Sequence, residues 1–294
     1  MTRRSFGLGM IAAASSPIAN SAFAAEGSAL AEAVLRVGLA EEQAVITQRI
    51  PMCAGFIKLS VEPSRFLANM SEAADRFKVV LAGLRDGSAD LGLKAETNGE
   101  ILEAMSALDA VWPTMDAAVQ QILASGVVDD ASYSAIARSN SALLFMTENI
   151  EKRLLQTYGD SGHDLSILIA VEIAARQEML TQKMAKEVTK IALGFKPEEN
   201  RKILAETVRL YENSLQALLG GVEALKLPEP PEHIRLALLE EKSRWSDLGL
   251  ILKEIANGAE VGILELYSIA SQEESLLEAA KHIEHMYVEM GAQG

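Results

Sequence analysis

Residues 172–192 read EIAARQEMLTQKMAKEVTKIA. Wound at 100° per residue, Ile173, Leu180, Met184, Val188 and Ile191 fall on one apolar stripe, and neither Gly nor Pro interrupts them. This stretch is an amphipathic helix. Gln177 and Thr181 sit inside the stripe, one turn apart, while Arg176, Lys183, Lys186 and Lys190 lie on a flank. The same arrangement occurs earlier in the chain, with Gln43 and Thr47 between Leu39, Ile46, Ile50 and Ile57.

Working outward, helical periodicity runs from Ser28 to the end of the 294 residues. Pro63 and Pro197 stand where a first-turn proline belongs, and Gly87, Gly221 and Gly258 stand where helices stop. Thr97-Asn98 and Asp129-Asp130 supply N-caps. These signals predict eight helices, near 29–59, 63–86, 97–124, 130–158, 164–194, 197–219, 231–256 and 260–290. The chain also repeats itself. A shift of 134 brings Gln43 onto Gln177, Thr47 onto Thr181, Pro63 onto Pro197, Phe77 onto Tyr211 and Gly87 onto Gly221. A shift of 133 brings Trp112 onto Trp245 and Ile150 onto Ile283. The expected fold is all-α: two tandem up-and-down four-helix bundle units, 26–159 and 163–294, divided at Gly159-Asp160-Ser161-Gly162.

Composition excludes several classes. With 27 Lys and Arg against 41 Asp and Glu, the net charge is −14, which disfavours binding to a phosphate backbone. One cysteine, Cys53, forms no internal disulfide and cannot build a structural zinc site. At the start, Arg3-Arg4, a short apolar run over 8–14 and Ala22-Phe23-Ala24 read as a cleavable export signal over 1–24. Arg3-Arg4 followed by Phe6 and Leu8 is twin-arginine-like, with an ordinary secretory leader as the other reading. Either places the mature protein in the periplasm. No later stretch is long and apolar enough to span a bilayer.

A glutamine buried in an apolar stripe needs hydrogen-bond partners, since each one missing costs about 1–3 kcal/mol. Two readings of the Gln/Thr pairs are open. They line a polar pocket with Arg49 or Lys183 at its mouth, or they bond across a helix interface and set its register. Pro51 has no N–H to offer the carbonyl of Thr47, so it should kink the helix and free that acceptor. Ala185 holds the matching place, so the two sites should differ.

The run Ala174-Ala175-Arg176-Gln177-Glu178-Met179-Leu180-Thr181-Gln182-Lys183-Met184-Ala185-Lys186 resembles the Ala-Gly-Arg-Gln-Arg-Met-Leu-Ser-Gln-Arg-Met-Ala-Lys box of PilJ-type sensor domains. These are the N-terminal domains of type IV pilus methyl-accepting chemotaxis transducers, related to periplasmic nitrate/nitrite sensor domains. Residues 42–50 resemble a degraded copy. The resemblance implies a helical extracytoplasmic sensor whose box helices pair across a dimer; the duplication suggests that two half-chains pair in its place, as an internal pseudo-dimer. The ligand would then lie between 43–50 and 177–184, with Gln43, Thr47, Arg49, Arg176, Gln177, Thr181 and Lys183 as binding residues. The arginine that grips nitrate in the relatives matches Ala44 and Glu178 here, so nitrate binding does not carry over.

Other chemical signals are weaker. His282 and His285, with Glu278 and Glu289, have metal-like spacing but read as a solvated helix face. Cys53 has no base beside it, no Gly-rich phosphate loop or nucleophile elbow occurs, and no Glu-x-x-His is present. Trp112 and Trp245 read as core residues. The expectation is a non-enzymatic periplasmic binding or sensory protein without cofactor or metal, taking a small polar or anionic ligand and relaying its state to an envelope partner. The alternative is a helical scaffold without a small ligand.

Overall fold

The computed structural model describes residues 17–159 and 165–293. The first sixteen residues of the expected export signal, and residues 160–164 with most of the expected break between units, lie outside them. The described chain is helical: α1 (Pro17–Lys58), α2 (Pro63–Asp86), α3 (Gly99–Ser125), α4 (Asp130–Gly159), α5 (Leu165–Ala192), α6 (Pro197–Gly220), α7 (Glu232–Ala256) and α8 (Ile263–Gln293). One short 3-10 turn, Glu223–Leu225, follows α6. Helix α1 starts well before the expected residue 29, because the Ala-rich stretch after Pro17 favours helix and proline suits a first turn.

Local chemistry sets the ends. Asn98 accepts from the backbone N–H of Glu100 and Ile101, at 2.9 and 3.3 Å, and Asp129 caps α4 by accepting from Ser132 N at 2.7 Å. Pro63 and Pro197 open α2 and α6 behind left-handed residues, Glu62 and Lys196, at φ 42° and 43°. After these helices the chain turns at Gly87 and Gly221, at φ 84° and 68°. A Cβ there would meet backbone at 2.7 Å (Ala95 N) and 2.8 Å (Leu227 O), so glycine is required at both. Each turn is closed by an antiparallel bridge, Ser88 with Leu93 and Val222 with Leu227. Both bridges, like both prolines and both left-handed residues, stand 134 residues apart.

Packing divides the helices into two groups of four. In the first, α1 packs on α2 and α4, and α3 joins them; in the second, α5 packs on α6 and α8, and α7 joins them. Matching aromatic pairs fill the two interiors: Phe77 stacks on Trp112 at 3.8 Å between ring centroids, and Tyr211 meets Trp245 at 4.3 Å. The most extensive interface is between the groups, where α1 lies on α5, with α8 also reaching α1. Gly38 faces Val171, Gln48 meets Lys186, and Gly55 faces Thr189. Contacts that advance together along both helices mean that α1 and α5 run parallel. Gly55 and Thr189 are separated by the repeat spacing of 134, so equivalent residues meet each other there, as on a two-fold axis.

Candidate functional site

The four polar residues predicted inside the stripes are all buried. Gln43 Nε2 donates to the carbonyl of Phe77 at 3.3 Å, and Gln177 Nε2 donates to that of Tyr211 at 3.2 Å. Each glutamine therefore ties a box helix to the next helix of its own group, and the two do not bond each other. Thr47 Oγ1 donates to Ala44 O at 2.7 Å and Thr181 Oγ1 to Gln177 O at 2.8 Å. The Oε1 atoms of Gln43 and Gln177 both lack a hydrogen-bond partner. Arg49 and Lys183 are half-buried, and Arg176 is exposed and paired with Glu172.

Pro51 has the consequence expected of it, an acceptor freed on α1. Asn140 of α4 fills the gap, its Nδ2 donating to Thr47 O at 2.6 Å. Lys186, 3% exposed, reaches in from α5 and donates to Asn140 Oδ1 at 3.0 Å and Gln48 Oε1 at 2.6 Å, and pairs with Glu187 at 2.9 Å. Gln48 Nε2 completes the network by donating to Thr47 Oγ1 at 2.9 Å. Burial pulls the Lys186 ammonium down to about 8, against the pull of Glu187. The matching place in the second group is built differently: Gln182 Nε2 donates to Glu273 Oε2 at 2.8 Å, and burial pushes Glu273 up to about 7. The two sites are thus inequivalent, as the Pro51/Ala185 difference implied. The sequence reading passed over Gln48, Asn140, Lys186 and Glu187. Asn140, between Ile136 and Leu143 on an apolar face, was the available signal.

Cavities lie along the line where α1 meets α5. A cleft of about 310 Å³ is bounded by α1, α5 and α8, with Arg76 of α2 at its edge. A cavity of about 190 Å³ shares Glu42, Val45, Arg76, Glu178 and Lys281 with it and extends to Arg49. Glu42 and Arg76 face each other as a two-point ion pair, at 2.9 Å from Nε and 2.7 Å from Nη2. Glu178 is held well above the usual carboxylate range, by burial first and then by the neighbouring Glu284. Burial and Glu42 push Glu284 to about 7. Together the two cavities hold Glu178 and Glu284, both raised by burial, with Lys281, Arg49 and the Glu42–Arg76 ion pair. Of the seven predicted binding residues, Arg49 lines this space; the polar residues beside it are ones the sequence reading had not assigned to binding.

A larger cavity, about 620 Å³, lies at the far end of the bundles among the ends of α1, α4, α5 and α6, with Lys58, Arg138, Lys190 and Lys196 on its walls. His282 and His285 are exposed, and His285 Nε2 pairs with Glu289 at 3.2 Å. The Cys53 thiol is buried and pushed up to about 12 by that burial. No helix among the described residues is long and apolar enough to cross a membrane.

Comparison with known proteins places part of this architecture. The family model for PilJ, the type IV pili methyl-accepting chemotaxis transducer N-terminal domain, matches residues 169–257, from the box on α5 to the end of α7. Searches among curated proteins and among solved structures found no match. Residues 169–257 are therefore similar to the PilJ family of sensor domains.

Proposed function

We propose that the protein is an extracytoplasmic sensor in which two PilJ-like units, 26–159 and 163–294, stand as an internal pseudo-dimer and take a small polar ligand between them. One observation carries the reading. The box helices α1 and α5 run parallel with Gly55 opposite Thr189, and a cleft lined by charged side chains opens along their junction. Carboxyls at Glu178 and Glu284, raised by burial, with the cations Lys281 and Arg49 nearby, suit a small polar or anionic ligand. The leader at 1–24 would deliver the chain to the periplasm, and a membrane partner would receive its state. Such a partner responds only if the ligand favours one arrangement of the two units over another.

A scaffold without a small ligand has one observation in its favour: Gln43, Thr47, Gln177 and Thr181 are packed and bonded within their own groups. A thermal-shift panel of amino acids, organic acids and inorganic anions separates the readings. Saturable stabilisation by one compound, lost in Glu178→Ala and Arg49→Ala, supports the cleft. Stabilisation lost only in Arg138→Ala moves the ligand to the end cavity, and a flat panel favours the scaffold.

A further inference from the structure

We propose that Glu41, Glu151 and Glu172, from α1, α4 and α5, hold a divalent cation with oxygen-preferring chemistry, on the side of the α1–α5 junction opposite the cleft. One carboxylate oxygen of each lies within 4.8 Å of the other two. Calcium–oxygen bonds of about 2.3–2.6 Å allow ligand oxygens to stand up to about 5 Å apart around one ion, so a small inward movement of these side chains would be enough to bind one. Glu41 is 2% exposed and its Oε2 has no hydrogen-bond partner. A carboxylate in that position needs a proton or a cation, because its desolvation is otherwise uncompensated. Glu151 is buried as well, and Glu172 opens to solvent beside Arg176, which gives an entry path.

The charges do not balance without a further positive group. Arg176 pairs with Glu172 and is the cation that acts on all three acids, while Glu148 adds another negative charge close by. The acids are also specific to this side. The residues matching Glu172 and Glu41 at the repeat spacing are Gly38 and Ala175, and only Glu151 has an acidic counterpart, Glu284. Carboxylate donors without nitrogen or sulfur select calcium, magnesium or manganese over zinc or copper. The competing occupant is a proton shared by Glu41 and Glu151, which stand close enough for it.

The test is calorimetric titration of the chelator-treated full chain with CaCl2, MgCl2 and MnCl2 at neutral pH, paired with melting curves. One of the salts should bind at one equivalent, release protons and raise the melting temperature saturably. Glu41→Gln and Glu172→Gln should each weaken binding by more than about 100-fold, the upper end of what losing an outer partner costs. Glu241→Gln, a buried acid in α7, should leave it unchanged. Glu172 is near the surface, so its variant keeps the test valid if Glu41→Gln does not fold. Absence of saturable binding by all three salts, or binding in both variants as tight as in the unsubstituted chain, overturns the proposal. So does stabilisation on acidification with no response to any of the cations, which assigns the site to the shared proton.

Discussion

Replacing Gly55 by alanine tests the parallel pairing of α1 and α5 directly. A Cβ on residue 55 would stand 2.5 Å from Thr189 Cβ and 3.1 Å from its Cγ2. Because the nearest carbon is Cβ itself, no rotation of the threonine relieves the contact, and the helices must part or bend. Overpacking of this kind costs about 1–3 kcal/mol, and here the displacement spreads along the largest interface in the molecule. Chemical denaturation followed by circular dichroism should show Gly55→Ala at or above the upper end of that range. The decisive measurement is the double variant Gly55→Ala/Thr189→Gly, which moves the missing side chain from one helix to the other. A glycine inside a helix costs about 1 kcal/mol relative to alanine, so Thr189→Gly alone should be mildly destabilised. The double variant should then be more stable than the sum of the two single changes by at least about 1 kcal/mol. If Gly55→Ala loses less than about 0.5 kcal/mol and Thr189→Gly gives no rescue, residues 55 and 189 do not face each other, and the two-fold pairing fails with them.

Three further outcomes are expected. Burial pushes Glu241, Glu273 and Glu284 from 4.5 to about 7, and Glu178 is raised as well. The folded state therefore binds protons that the unfolded chain has released, and stability from these groups is full below about pH 4.5 and is lost as pH rises through 7. Each contributes a slope of up to about 1.4 kcal/mol per pH unit, so urea midpoints should fall between pH 5 and 7.5; a rise would refute the assignment. Lys186 runs the other way: its folded value of about 8 lies below the ordinary 10.5, so its share of stability increases from pH 8 to 10.5. Lys186→Met would leave Gln48 Oε1 and Asn140 Oδ1 without their donor, and at neutral pH should destabilise by about 3–5 kcal/mol in urea melts; a neutral result would mean that the ammonium is not buried there. Cys53 should resist thiol reagents in the folded protein and react at the rate of global opening, with fast labelling in native buffer as the contrary result.

Most of the secondary structure was legible because proline, glycine and capping residues punctuate it twice. Pro63 and Pro197 open helices, Gly87 and Gly221 turn the chain, and the interior tryptophans recur on matching helices. The Thr47 carbonyl was legible for a different reason, the missing N–H of Pro51. Lys186 and Glu187 were hidden by the logic of a helical wheel, which assigns charged flanks to solvent. That logic holds for a helix buried on one side, whereas α5 is packed by α1, α6 and α8 and its flanks are interior too. Glu178 escaped similarly: as a departure from the family box it looked repulsive toward an anion, and its burial beside Glu284 changes its protonation. The acids at 41, 151 and 172 are scattered over three helices, and no one-dimensional spacing brings them together.

Joining two parallel helices in one polypeptide has an evolutionary effect. In a receptor made of identical subunits, any substitution beside the symmetry axis is displayed twice, so its two halves cannot specialise. Here Lys186 and Met52 stand at the repeat spacing, as do Asn140 and Glu273, and each position in one polypeptide can change without its counterpart. Covalent linkage also makes the pairing independent of protein concentration, so a dilute compartment does not separate the halves.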